Sequence, residues 1–196
     1  MPVPTRTLLR TLIACLLALP AAVPADDKPA APAAAAKPAP PAPFNNLAWA
    51  FAKSNLLRSA EKMPEESYGF KPADTIRSFG QVVGHVADSQ YYFCSVALGE
   101  KNPGPGIEKT KTSKADLVGA LKDAIAYCDR AYGGLTETQG AEMVTLFGSR
   151  TMPKKDVLTA NVMHGVEHYG NLIVYLRMKG LVPPSTEQGM GPDTKK

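Results

Sequence analysis

The sequence predicts an all-α four-helix bundle preceded by an export signal and a spacer. Three observations carry that prediction. Four segments between Phe44 and Pro184 repeat apolar residues every three or four positions, no segment alternates convincingly as a strand would, and an Ala/Pro-rich stretch sets residues 26–43 apart. At 196 residues the chain has room for one ordinary domain and an appendage. With 44% hydrophobic residues and only three cysteines it is neither a disordered chain nor a disulfide scaffold. Its net charge of +4, which drops to +2 without residues 1–25, is low for a nucleic-acid binder, so no nucleic-acid partner is expected.

Residues 1–25 read as a signal peptide: Arg6 and Arg10 form a basic start, Leu12 to Leu19 is an apolar run too short to span a bilayer, and Val23-Pro24-Ala25 places small residues before a cut. The expected location is therefore periplasmic, with a mature N-terminus at Asp26 and no membrane insertion of the mature chain. A lipoprotein anchored through Cys15 is the alternative, although it would leave little apolar chain before the cysteine. In residues 26–43, fourteen of eighteen residues are Ala or Pro, the composition of a stiff, extended linker.

The bundle is expected over residues 44–184. The first helix covers about 44–62, where Trp49, Ala52, Leu56, Ala60 and Met63 share a face and Pro64 ends the run. The second is read from Thr75, a candidate N-cap, to Leu98, with Gly99 as its stop. Ser113 and Asp116 open the third in a Ser-x-x-Asp pattern, and it runs to Gly133-Gly134. The fourth starts with Pro153 at its first position and ends near Lys179-Gly180. Residues 135–152 read as a loop or a small irregular hairpin, and 185–196 as a disordered tail. The long link from Gly99 to Thr112 permits an up-down-down-up order with a crossover between the second and third helices. In that order Cys94 and Cys128, about 18 and 15 residues from their helix starts, stand at roughly 27 and 22 Å and can pair; in an antiparallel order they are free buried thiols.

The chemistry concentrates on the fourth helix. Its stripe of Val157, Asn161, His164, His168, Asn171 and Tyr175 is polar, yet the remaining circumference is largely apolar, which turns this stripe inward. His164 and His168, four apart, project from one face at roughly 6 Å, the spacing that one metal ion bridges. The remaining histidine, His85, sits midway along the second helix beside Ser89 and Tyr92. Three imidazoles suit zinc or nickel and leave positions open for water or substrate. Residues 164–168 also fit H-x-x-E-H, the inverted zinc-protease motif. That motif needs a further acidic ligand downstream, and Glu187 and Asp193 lie in the expected tail. Glu167, Asp88 and Tyr92 are the candidates for moving protons.

Met63-Pro64-Glu65-Glu66, Phe70 to Ala73, Ser78 to Asp88, and His164 to His168 running on through Tyr175 to Pro184 together resemble the DinB-like bundle proteins. The resemblance spans about Asn46 to Pro184. It implies a divalent metal held by one histidine of the second helix and a pair on the last, which map onto His85, His164 and His168. Tyr169-Gly170-Asn171 departs from a run that often ends in Gly-Gln in that family. The resemblance further implies a metal-dependent hydrolase, or a transferase or isomerase using a low-molecular-weight thiol, acting on a small-molecule substrate. A non-catalytic ligand-binding or structural bundle is the alternative, and self-association into a homodimer is left open.

Overall fold

A computed structural model describes residues 46–189; the expected signal peptide, Cys15, the linker and the chain beyond 189 lie outside the described residues. Helix α1 (Asn46–Lys62) forms where its apolar stripe predicts, and Trp49, Ala52, Leu56, Ala60 and Met63 are all buried. A 3-10 turn, Glu65–Ser67, follows the break at Pro64. Helix α2 (Phe79–Leu98) begins later than the Thr75 reading placed it. Ser78 accepts from the Gln81 amide while the Gln81 side chain accepts from the Ser78 amide, so two otherwise orphaned donors are satisfied at once. Gly99, in the left-handed region at φ 71°, ends it as expected.

The crossover contains a helical turn, α3 (Ile107–Thr110), before Ser113 caps α4 (Lys114–Gly134). Residues 135–153 hold α5 (Glu137–Ala141) and a two-stranded hairpin, β1 (Met143–Leu146) and β2 (Arg150–Pro153), paired from Met143 with Pro153 to Leu146 with Arg150. Pro153 closes that hairpin and stands as the cap of α6 (Lys154–Met178), not as its first residue. The tail expected from residue 185 begins as a further short helix, α7 (Pro184–Gly189). Its Glu187 takes both Arg58 and Lys62 of α1. That ion pair removes Glu187 as the downstream ligand of a zinc protease. Among the described residues no helix is long and apolar enough to cross a membrane.

Side-chain pairings fix the helix directions. Gly80 lies against Leu117 near the starts of α2 and α4, and Cys94 and Cys128 form a disulfide further along with a Cα separation of 5.3 Å. Those cysteines are the sixteenth and fifteenth residues of their helices, so parallel α2 and α4 bring them to one height. The contacts of Arg77 with Tyr175 and of Gln90 with Asn161 run α6 antiparallel to α2. Trp49 with Asp129 and Glu61 with Lys122 run α1 antiparallel to α4. The result is the up-down-down-up bundle with its crossover at residues 99–113. Leu56, Phe79, Leu117, Leu121, Leu172 and Leu176 fill the centre, each fully buried. Burial of side chains this size contributes about 1.5–3 kcal/mol apiece.

Candidate metal centre

The three histidines come from two antiparallel helices whose apolar neighbours leave them no freedom to turn away. On α2, Val82 and Val86 bury the positions flanking His85; on α6, Val162, Gly165 and Leu172 do the same for His164 and His168. His85 Nε2 lies 3.2 Å from His164 Nε2, and His168 Nε2 lies 3.1 Å from the same atom. One ligand nitrogen from each ring lies within 4.8 Å of the others. Nitrogens bound to one tetrahedral zinc at ~2.0–2.1 Å stand about 3.3 Å apart, which two of the edges match, so a small closing of the third would let the cluster hold a single ion.

The outer ring nitrogens decide which way the inner lone pairs point. His85 Nδ1 is 3.2 Å from Glu108 Oε2, so its proton is donated outward and Nε2 is left bare. Glu108 is itself held, its other oxygen accepting from Arg77 Nε at 2.8 Å. Burial pushes the Glu108 carboxyl up, but Arg77 and His85 outweigh it and hold the group below the usual carboxylate range. Asn171 has its side-chain amide 3.3 Å from His168 Nδ1. Its Nδ2 faces that nitrogen as a donor; an ion on His168 Nε2 would require the amide turned to present its oxygen to the Nδ1 proton. His164 Nδ1 is buried without a protein partner.

Burial first, and then the neighbouring His168, His85 and Arg77, lower the His164 pKa from 6.5 to about 4. His168 is lowered too, again chiefly by burial. At neutral pH both are therefore uncharged imidazoles, the state that ligates a metal. Ring nitrogens this close in a low-dielectric space need a cation or a proton between each pair.

Glu108 was not legible as part of this site, and its position depends on three other residues. The Asp88 carboxylate accepts from the Ile107 and Glu108 amides at 2.7 and 2.9 Å, which fastens the first turn of α3. Gly84 lets α3 approach α2, since a Cβ there would stand 2.7 Å from Glu108 Cα. Arg77 completes the clamp. Asp88, expected to move protons, thus has both oxygens engaged by backbone and reaches His85 only by placing Glu108. The Tyr92 hydroxyl accepts from the Phe147 amide at 2.7 Å, and its ring stacks on Phe147 at 5.1 Å. Tyr92 braces the hairpin tip, while its neighbour Phe93 packs on His164 at 5.6 Å. Glu167 is exposed; it has no hydrogen-bond partner among the described residues, and its charge acts on His168 in opposition to burial.

A groove of about 710 Å³ opens beside the cluster, lined by His168, Asn171 and Tyr175 of α6, Gln81 of α2, and the 71–77 segment. It gives one ligand edge access to solvent.

Comparison with known proteins agrees with this architecture. YjoA of Bacillus subtilis (strain 168), itself uncharacterised, is 31% identical over 124 residues, covering 62% of this chain and 79% of its own. The crystal structure of YjoA matches with a TM-score of 0.56 at 26% identity over 69% of this chain and 92% of that one. A DinB-like protein from Bacillus cereus ATCC 10987 matches with a TM-score of 0.62 at 20% identity over 70% and 92% of the two chains. A mycothiol-dependent maleylpyruvate isomerase shares the fold, with a TM-score of 0.55 at 17% identity over 64% of this chain and 58% of that one. The family model of the DinB superfamily matches residues 48–172, and this chain belongs to that superfamily.

Proposed function

We propose that this protein is an exported metalloenzyme that holds zinc or nickel on His85, His164 and His168 and acts on a small molecule in the adjoining groove, as a hydrolase or a thiol-dependent transferase. The observation that carries the reading is the meeting of three imidazole Nε2 atoms, two of the contacts at 3.1 and 3.2 Å, with the outer nitrogens of His85 and His168 facing polar partners. A divalent ion there supplies Lewis acidity and lowers the pKa of a water or thiol at its open positions.

The chain's own residues do the rest. Glu108 and Asn171 orient two of the rings, and Phe93 shields His164 from solvent. His168 presents its edge to the groove. Glu167 offers a carboxylate without a hydrogen-bond partner one residue before His168, and it is the side chain proposed to carry a proton. Among the described residues the metal-capable group contains three ligands and no fourth, which supports an open, catalytic shell over a closed structural one.

The mycothiol dependence of the isomerase supports the thiol reading through a shared fold alone. Export is supported by the Cys94–Cys128 disulfide, a bond that persists in oxidising compartments. The deciding experiment is elemental analysis of purified protein, followed by hydrolase and thiol-transfer assays with the metal present and removed. One equivalent of zinc or nickel and a metal-dependent turnover are expected. Stoichiometric metal without any turnover favours the structural bundle, and absence of metal refutes the centre.

A further inference from the structure

We propose that the groove beside the histidines is a subsite for a short aliphatic carboxylate, received by the two Nη groups of Arg77. The inference deepens the metal-centre reading and rests on it for what becomes of the bound anion, while the binding step is testable without metal.

The argument begins with how Arg77 is held. Its backbone oxygen accepts from the Tyr175 hydroxyl at 2.5 Å, and its Nε donates to Glu108 at 2.8 Å. Those contacts fix the guanidinium through one nitrogen and leave both Nη groups without a partner among the described residues. Arg77 lines the groove with its side chain 44% exposed, so this fixed fork is accessible. A planar fork of two N–H groups matches a carboxylate, and one already oriented loses little freedom on binding it. Lys71 is a second cation on the same rim, without an ion-pair partner among the described residues.

The acids nearby do not cancel this. Glu108 spends its charge between Arg77 and His85. Asp74 is an exposed carboxylate in the same lining, without an ion-pair partner among the described residues, and it opposes the anion. The Arg77 end of the groove adjoins the histidines, since the Arg77 charge reaches both His164 and His168. Part of the wall is apolar: Ile76, Val82 and Val174 line the groove beside the polar Gln81 and Asn171, and Ile76 and Val174 are 42% and 52% exposed. An apolar wall beside a guanidinium fits an organic acid with a short hydrocarbon body better than a bare inorganic anion.

The test uses metal-free protein covering the whole mature chain. Butyrate, its neutral isostere butyramide, and inorganic phosphate are titrated separately while the backbone amide signals of the groove residues Gln81 and Val174 are followed by NMR. Butyrate is expected to bind saturably, with butyramide about tenfold weaker or more. Arg77→Gln should lose the butyrate response by a similar factor. Equal binding of butyrate and butyramide by the unmodified protein overturns the proposal and requires no variant to fold. Undiminished butyrate binding by Arg77→Gln overturns it as well, and phosphate binding tighter than butyrate replaces the organic acid with an inorganic one. Zinc added back to the same preparations separates the two readings: protein that binds butyrate but takes up no zinc sinks the metal centre alone.

Discussion

Gln90 and Asn161 meet on the same α2–α6 seam as His85 and His164, a turn or so away, yet the two buried polar layers are joined in different ways. In the amide layer one chain of donors and acceptors runs through the seam, although Gln90 Nε2 and Asn161 Oδ1 are buried without a partner among the described residues. Asn161 Nδ2 donates to Gln90 Oε1 at 2.8 Å and to the Tyr132 hydroxyl at 3.1 Å, and that hydroxyl donates to the Leu158 carbonyl at 2.8 Å. The Cys94–Cys128 disulfide lies against the same amides, and Gln90 and Asn161 are 0% exposed. In the imidazole layer three ring nitrogens face one another, and among the described residues no other side chain joins them. A buried polar group without a partner costs about 1–3 kcal/mol and both layers keep such atoms, but only the imidazole layer gathers three nitrogens that one added ion can complete.

Substitutions in the two layers should therefore fail in different ways. The largest effect belongs to the imidazoles. A His85→Ala, His164→Ala double variant should pass from one equivalent of bound metal to none, with helical circular dichroism unchanged. Asn161→Ala should do the reverse, keeping the metal and losing about 1–3 kcal/mol of stability. If the amide variant also loses its metal while still folded, the two layers are not independent and the comparison breaks.

Next is the disulfide, which closes a loop between residues 34 apart in sequence. Chain-entropy arguments give such a loop about 3–4 kcal/mol. A Cys94→Ala, Cys128→Ala variant should show that loss in urea unfolding and retain its metal. A stability within 1 kcal/mol of the parent would mean that packing of Gln90 and Tyr132 already holds α2 to α4.

Smaller again is the effect of Glu108, which touches only one ring. Glu108→Gln keeps an acceptor for His85 Nδ1 but removes its charge and weakens the hold of Arg77. Metal affinity should fall about 10–100-fold by competition with a chelator, the usual range for a partner behind a ligating histidine. The 15N shifts of His85 in metal-free protein should show a larger share of the other tautomer. Unchanged affinity and unchanged tautomer would reduce Glu108 to a salt bridge.

The parts of this comparison that sequence reveals are those carried by one helix at a time. Periodicity places all four long helices, the inward turn of the α6 stripe and the His164–His168 pair, because each depends on spacing within a single segment. The disulfide was visible only as one of two alternatives, since helix direction is set by contacts across the bundle. Glu108 lies 23 residues from His85 in a crossover rich in Gly and Pro, and no spacing rule ties the two. A usable trace did exist: Gly84 breaks an otherwise good helical run, and a mid-helix glycine signals that another backbone comes close. Asp88 misled for a related reason. A carboxylate on a histidine-bearing stripe looks like a proton carrier until α3 is seen to take both oxygens. Likewise Ser78-x-x-Gln81 was the stronger start signal than Thr75, and its hydrogen bonds show why.

The smallest effect is on the pH dependence of the metal-free fold, and its sign separates the layers once more. His164 titrates near 4 in the folded protein against 6.5 in a free chain, mainly because burial disfavours its charged form, and His168 is lowered in the same direction. Between those values the unfolded chain binds protons that the native one does not, so stability rises with pH. The contribution is complete above about 6.5 and is lost as pH falls toward 4. The urea midpoint of metal-free protein should therefore drop between pH 7 and pH 5, and His164→Asn should flatten that drop. The amide layer carries no titrating group in this range, so Asn161→Ala should shift the whole curve down without changing its slope. An unaltered slope in His164→Asn would mean that the ring is protonated in the fold, and the imidazole layer would then be joined by a proton as the amide layer is by its own hydrogens.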